Sequence, residues 1–147
     1  MGNESRSILL VEDDVVICES LVELLELEGF RIHVVHDGEE ALHFLNQSGD
    51  GDPGVILLDL MMPVCSGYEF LKRWQQNPKF DQISVIIMSA GSNAQETGQL
   101  YGVPVIKKPF DGKTLFALID ETFMSQRVGA SKGGSAGFTA EPKANIL

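Results

Sequence analysis

The feature that most constrains the fold is a short, wholly apolar run that stops at a charge. Residues Val55 to Leu58 read Val-Ile-Leu-Leu, Asp59 follows directly, and Pro63 comes four residues later. Such a run is typical of a strand that is buried on both faces of a parallel sheet. Because an unpaired carboxylate is costly in the interior, we expect Asp59 at the carboxyl-terminal lip of this strand, with Pro63 turning the chain away.

Three further apolar runs also end in polar residues. Ser7–Val11 precedes Glu12-Asp13-Asp14, Ile83–Met88 precedes Ser89, and Val103–Ile106 precedes Lys107-Lys108. A single acid after a strand commonly caps the next helix, and Asp59 taken alone could do the same. Three acids in a row repel one another, and capping needs only one of them. A cation would relieve that repulsion, and clustered carboxylates are what Mg²⁺ prefers.

Helical patterns alternate with the strands. The predicted helices are Val15–Glu28, Gly38–Gln47, Tyr68–Gln76, Asn93–Tyr101 and Asp111–Phe123. Phe30–Val35 alternates polar and apolar side chains, which predicts an edge strand. We expect Leu24 and Tyr68 among the side chains that face the core. Five strands alternating with five helices predict an α/β fold, a doubly wound five-stranded parallel sheet with helices on both faces.

Composition and charge set limits on the function. The chain has 147 residues, 44% of them hydrophobic and 22% charged, which is typical of one globular domain. It has no apolar run long enough to span a membrane, no signal-peptide segment, and only two cysteines, so we expect a cytoplasmic protein that does not bind membranes. The net charge of −10 argues against direct DNA binding.

Composition also divides the chain into three parts. The predicted strands and helices occupy residues 7–124, and residues 1–6 form an N-terminal extension. Residues 125–147 are rich in Gly, Ser, Ala and Lys, with few large apolar side chains. Because such a segment cannot bury enough surface to order itself, we expect a flexible tail there.

The predicted topology brings the polar strand ends together, because the carboxyl ends of parallel strands meet at one edge, where doubly wound sheets bind ligands. The residues at these ends are Glu12 with Asp13, Asp59, Ser89 and Lys108. The acids could hold a divalent cation, the cation and the lysine could neutralise phosphoryl oxygens, and the hydroxyl could donate a hydrogen bond. The pattern therefore predicts phosphoryl chemistry.

At these residues the chain resembles the receiver domain of two-component response regulators. Four motifs match in the family's order: Val-Glu-Asp-Asp, Leu-Leu-Asp-Leu-Met-Met-Pro, Ser-Ala and Lys-Pro-Phe, after the first, third, fourth and fifth strands. The resemblance extends from Ser7 to about Met124 and implies a flavodoxin-like sheet of strand order 2-1-3-4-5. It also implies a stand-alone receiver like the chemotaxis regulators, with a cis peptide bond between Lys108 and Pro109.

The resemblance implies a role for each site residue. Asp59 would be the phospho-acceptor and would attack the phosphoryl group carried by a histidine kinase or a histidine phosphotransfer protein. Lys108 would pair with Asp59 and later with the phosphoryl group. Ser89 would be the switch residue, whose hydroxyl moves inward towards the phosphoryl group. The implied Mg²⁺ ligands are Asp13, Asp59, the backbone carbonyl of Met61 and, through a water, Glu12. The signal would pass to a downstream protein whose identity the sequence leaves open.

Two departures from the family concern the output surface, through which a receiver contacts its downstream partner. Val105 stands three residues before Lys108, where the family usually has Tyr or Phe, so the usual rotation of that ring has no counterpart here. The stretch from Ser89 to Lys108 is a few residues short, which indicates a curtailed fourth helix. The usual output face comprises the fourth helix, fifth strand and fifth helix, and the sequence therefore leaves the output surface open.

Other functions fit parts of the pattern. A receiver could instead relay the phosphoryl group or act as a phosphate sink with no effector partner. A phosphatase of the haloacid-dehalogenase type also uses a strand-end aspartate, but it needs a second acid where Met61 stands. A flavodoxin-like binding module would need a Thr/Ser/Gly-rich loop after the first strand, where three acids stand instead. We expect a signalling domain that is not an enzyme beyond its own phosphorylation and dephosphorylation.

Two residues near these motifs receive no functional role from the sequence. Cys18 is interpreted as a small core residue of the first helix. His36 is one of three scattered histidines, none of which matches a metal-binding or phosphorylatable arrangement.

Overall fold

A computed structural model describes residues 6–48 and 53–127 and contains the predicted alternation of strands and helices. The strands are β1 (Ser7–Val11), β2 (Arg31–Val35), β3 (Val55–Asp59), β4 (Ser84–Ser89) and β5 (Val105–Lys107). The helices are α1 (Val15–Leu27), α2 (Gly38–Gln47), α3 (Gly67–Gln76), α4 (Ala94–Tyr101) and α5 (Gly112–Arg127). A short 3-10 turn, Pro78–Phe80, lies between α3 and β4.

The five strands form one parallel sheet in the order β2-β1-β3-β4-β5, which confirms the predicted fold class. Strands β1 and β3 are buried along their whole length. At the edge, β2 leaves Arg31 and His33 exposed and half-buries Ile32 and Val34, as its alternating pattern predicted. In the part of the chain that the structure covers, no helix has the length and apolar character needed to cross a membrane.

Each face of the sheet packs against its own helices, because successive side chains of a strand point to opposite faces. In β1, Leu9 and Val11 join the core under α2, α3 and α4. Ile8 and Leu10 join the other core, under α1 and α5. Burying both faces of the central strands leaves the strand ends as the natural place for charged side chains.

Two side chains expected in the core are exposed, and both predictions are wrong. Leu24 is 40% exposed and Tyr68 is 38% exposed. The buried stripe of α1 is Cys18, Leu21 and Leu25, and that of α3 includes Phe70, Leu71 and Trp74. In both helices the inward stripe is rotated away from the expected residue, which places its side chain at the margin of the contact with the sheet.

Contacts at the sheet's amino-terminal edge extend α5 beyond its predicted end at Phe123. The Phe123 ring stacks on Phe30 at a centroid distance of 6.1 Å, and the Arg6 guanidinium lies 5.0 Å from its centroid. Gln126 Nε2 donates to the Gly54 carbonyl at 2.6 Å. Three residues of the predicted tail, 125–127, are therefore helical. The rest of that tail and residues 1–5 of the predicted extension lie outside the described residues.

The α4–β5 region contains a short helix packed closely on a short strand. Helix α4 has eight residues and ends at Gly102, whose φ of 69° is in the left-handed region that glycine tolerates. A Cβ on Gly98 would lie 2.5 Å from Val105 Cγ2 and 2.8 Å from the Val103 carbonyl oxygen. Val105 is buried and packs directly against Gly98 of the helix.

Candidate functional site

The carboxyl-terminal edge of the sheet brings together the polar strand ends that the sequence singled out. Asp59 and Ser89 are the last residues of β3 and β4, one residue later than the predicted strand ends. Glu12 directly follows β1, and Lys108 directly follows β5. One carboxylate oxygen from each of Glu12, Asp13 and Asp59 lies within 4.8 Å of the other two. The peptide bond between Lys108 and Pro109 is cis, as the resemblance implies.

Asp14 explains why the remaining two acids of the Glu12-Asp13-Asp14 run are available to the site. Its Oδ1 accepts the backbone N–H groups of Val16 and Ile17, at 3.0 and 3.2 Å, and so caps α1. One acid is therefore enough to cap the amino terminus of the helix, as expected. The carboxylates of Glu12 and Asp13 are left to face Asp59.

Lys108 forms the expected ion pair with Asp59, but it lies closer to Glu12, a contact that the sequence analysis did not predict. Its Nζ lies 2.8 Å from Glu12 Oε1 and 3.8 Å from Asp59 Oδ1. The Glu12 side chain is only 2% exposed, against 9% for Asp59, so the Glu12 charge has the least access to water. Because a buried charge without a partner is strongly destabilising, the ammonium is drawn towards Glu12.

The pKa of Asp59 is raised to about 6, first because the carboxyl is buried and second because the negative charge of Glu12 is close. The Lys108 ammonium and the N–H of Met61, which donates to Asp59 Oδ1 at 3.3 Å, oppose that rise without cancelling it. The Lys108 ammonium thus pairs with two of the three converging carboxylates, Glu12 and Asp59. A divalent cation with hard oxygen ligands, such as Mg²⁺, fits this donor set and its charge.

Ser89 and Met61 complete the predicted set. The Ser89 hydroxyl is buried, and its oxygen accepts the N–H of Gly91 at 3.0 Å. The Ser89 carbonyl accepts the N–H of Lys108 at 2.9 Å, so the two residues are joined through the backbone. The backbone of Met61 lies beside the Asp59 carboxylate, but its side chain is 68% exposed. The contact of its carbonyl with a metal stays a prediction.

The loop after β3 is held by two glycines whose importance the sequence analysis missed. A Cβ on Gly67 would collide with the backbone of Asp59 and Leu60. At the start of α2, a Cβ on Gly38 would lie 2.7 Å from Cys65 Sγ, and the Gly38 N–H donates to the Cys65 carbonyl at 2.8 Å. The sequence did offer a signal for these contacts, since α2 and α3 both begin with glycine. Helices have no general preference for glycine at their first position, so a glycine there indicates a close approach of another segment.

Two further residues contact the site through the backbone of Glu12. The Cys18 thiol and the His36 ring both lie within hydrogen-bond distance of the Glu12 carbonyl oxygen, at 3.3 and 3.1 Å. The sequence carried no signal for either contact, because a backbone carbonyl is the same at every position.

Comparison with known proteins agrees with this geometry. The sequence matches the family described as the response regulator receiver domain over residues 8–120. It is similar to the transcriptional regulatory protein CpxR of Escherichia coli (strain K12), with 39% identity over 119 residues, which are 78% of this chain and 47% of CpxR. The chain thus spans about half the length of the regulators it matches.

Solved structures share the fold. The receiver domain of the Francisella response regulator 1452 is 27% identical, with a TM-score of 0.72, covering 82% of this chain and 98% of that one. The receiver domain of the sensor histidine kinase PA1611 from Pseudomonas aeruginosa PAO1 is 24% identical, with a TM-score of 0.73 and the same coverage. That structure has a magnesium ion coordinated in its active site cleft.

The crowding of carboxylates predicts that Asp59→Asn stabilises the metal-free protein. The pKa of Asp59 is about 6 in the folded chain and 3.8 in the reference state, so the proton binds more tightly to the folded protein. The ionised carboxylate therefore destabilises the fold above pH 6, and the amide should raise the free energy of unfolding at pH 8 by about 1–3 kcal/mol. Urea unfolding in EDTA measures the difference.

The gain should shrink as the pH falls through 6, it should be small near pH 4, and it should vanish well below the reference pKa of 3.8, where the parent carboxyl is protonated in both states. Glu23→Gln, at an exposed glutamate of α1, is the control and should show no comparable gain. A difference that is absent at pH 8, or that is equally large at pH 4, would show that repulsion at Asp59 is not the cause.

Proposed function

The chain belongs to the response regulator receiver domain family, and we propose that it accepts a phosphoryl group on Asp59 and passes that signal to a partner protein. The observation that supports this most is the placement of the Asp59 carboxylate beside two further carboxylates and the Lys108 ammonium at one lip of the sheet. The proposed donor is a phosphohistidine of a histidine kinase or of a histidine phosphotransfer protein.

In the proposed transfer, an oxygen of Asp59 attacks the phosphorus atom of the donor. The new P–O bond forms as the P–N bond to the imidazole breaks, and the imidazole nitrogen keeps the electron pair of that bond. The Lys108 ammonium, already 3.8 Å from Asp59 Oδ1, then pairs with a phosphoryl oxygen. The Ser89 hydroxyl donates to another, and this use of its O–H is compatible with its oxygen accepting the N–H of Gly91.

The proposed metal is Mg²⁺, which would neutralise charge on the phosphoryl oxygens when bound. The residues that would hold it are Asp13, Asp59, the carbonyl of Met61 and, through a water, Glu12. The support from this chain is the convergence of three carboxylates that a single ammonium does not balance. The magnesium ion in the PA1611 receiver domain adds a precedent on the same fold.

The proposed output is a protein–protein contact. CpxR is a transcriptional regulatory protein, but this chain spans about half its length. A net charge of −10 makes the chain a poor partner for DNA phosphates. We therefore propose a cytoplasmic receiver, residues 7–124, that acts on other proteins and catalyses nothing beyond its own phosphorylation and dephosphorylation. That it is a stand-alone receiver stays a prediction.

Phosphorylation at Asp59 can be tested without knowing the kinase. Incubation with Mg²⁺ and a small acyl phosphate should add one phosphoryl group to the parent protein, and mass spectrometry should locate it on Asp59. Asp59→Asn should take up none, and EDTA should suppress the reaction in the parent. Asp37→Asn, at the residue that caps α2, is a matched control and should be modified normally. Modification that persists in Asp59→Asn would refute the assignment.

The lifetime of the phosphorylated state should be long. An aspartyl phosphate is lost when a positioned water attacks in line. In the family, two residues border the path of this water: the second residue after the acceptor and the second residue after the switch residue. Here the acceptor is Asp59 and the switch residue is Ser89, so the bordering residues are Met61 and Gly91. Both are exposed, and neither has a side chain that can hold a water by a strong hydrogen bond.

The double variant Met61→Asn with Gly91→Glu should therefore lose its phosphoryl group faster than the parent. Two polar side chains could add about 1–3 kcal/mol of water positioning, which is roughly a five- to hundredfold increase in the rate. The measurement is the decay of purified phosphorylated protein after the acyl phosphate is removed. Equal decay in the parent and the double variant would mean that another step controls the lifetime.

A further inference from the structure

The backbone carbonyl of Glu12 accepts two side-chain hydrogen bonds from separate parts of the fold. His36, in the loop between β2 and α2, places Nδ1 at 3.1 Å from the oxygen. Cys18, on α1, places its Sγ at 3.3 Å. Because a carbonyl oxygen can only accept, the His36 ring must carry a proton on Nδ1. The Cys18 thiol is the donor in its own contact, because the carbonyl oxygen offers no proton.

The backbone of His36 is itself held in place by α2. The backbone N–H of His36 donates to Glu40 Oε1 at 2.8 Å, and Asp37 Oδ1 accepts the backbone N–H of Glu40 at 2.9 Å. On the other side, the N–H of Glu12 donates to the carbonyl of Val35 at 3.1 Å. The peptide groups on both sides of Glu12 are thus tied to neighbouring elements, and His36 is one of the ties.

The hydrogen bonds that hold the Glu12 backbone affect the positions of the carboxylates in the acidic cluster. The first two residues after β1 supply two of its three carboxylates, and those carboxylates repel each other and Asp59. A turn of the Glu12 peptide group would let Glu12 and Asp13 swing apart and relieve the repulsion without a metal. Hydrogen bonds to the Glu12 carbonyl resist that turn, and they keep the carboxylates converged before any cation arrives.

We propose that His36, assisted by Cys18, is a positioning residue for the Mg²⁺ site, acting through the Glu12 carbonyl. The inference rests on the proposed function, because it concerns the affinity of the same site for the same ion. The positioning role of His36 can nevertheless be tested separately, since the proposed function requires only that the carboxylates bind Mg²⁺. The alternative is that Cys18 is mere packing and His36 a surface side chain.

Calorimetric titration of Mg²⁺ into the full chain tests the proposal. His36→Leu removes the donor but keeps a side chain of similar bulk, and it should raise the Kd for Mg²⁺ about tenfold, the lower end of the range for partners that orient metal ligands. His36→Asn keeps an N–H donor near the position of Nδ1 and should restore most of the affinity. His43→Leu, at an exposed histidine of α2, is the matched control and should bind as the parent does.

A second pair of variants tests the same carbonyl from α1. Cys18→Ala should weaken Mg²⁺ binding, and Cys18→Ser, which keeps a donor, should weaken it less. Melting temperatures in EDTA separate this effect from general destabilisation: Cys18→Ala lowers stability by leaving a cavity, whereas the exposed His36→Leu should melt close to the parent.

The outcomes distinguish the two claims. If the parent binds Mg²⁺ and His36→Leu binds it equally tightly, the positioning role is wrong and the proposed function stands. If His36→Asn is as weak as His36→Leu, the lost hydrogen bond is not the cause, and the proposal is again overturned. If the parent itself shows no Mg²⁺ binding, the proposed metal role fails and this inference fails with it.

Discussion

The contact between Lys108 and Glu12 spans most of the sheet's polar edge. Strands β1 and β5 are not neighbours, since β3 and β4 lie between them, and yet Nζ and Oε1 are 2.8 Å apart. The same ammonium is 3.8 Å from Asp59 Oδ1. One positive charge is therefore divided between two buried carboxylates, with a third close by. Burial first, and then the uncompensated charge of Glu12, raise the pKa of Asp59, and the shortage of positive charge makes this edge a favourable place for a cation to bind.

The rest of the fold makes this charge imbalance possible. Buried apolar strands under two layers of helices hold the strand ends in register, which brings the carboxylates to the same edge of the sheet. The loops add local restraints, with Gly67 packed against the Asp59 backbone and Gly38 bonded to the loop after β3. Local repulsion that a stable scaffold maintains is common at functional sites. Here it would be the source of the proposed response to metal and to phosphorylation.

The strand ends could be predicted from the sequence because the signal is local: an apolar run followed by a polar residue marks both the strand and its end. Side-chain orientation was harder to predict. Leu24 and Tyr68 belong to amphipathic helices, but a small rotation of each helix places them outside the core. The partner of Lys108 depends on how deeply Glu12 is buried, which no spacing reveals. The contact of His36 is made to a backbone carbonyl, which has no signature in the sequence.

The position of Lys108 in the phosphorylated state tests the central claim most directly. Beryllium fluoride bound to an aspartate mimics an aspartyl phosphate, and a crystal structure of the Mg²⁺ and beryllium fluoride complex would locate the ammonium. The account predicts that Nζ leaves Glu12 Oε1, now 2.8 Å away, and contacts a fluorine atom on Asp59. A complex in which Asp59 carries beryllium fluoride while Nζ stays bonded to Glu12 alone would contradict it.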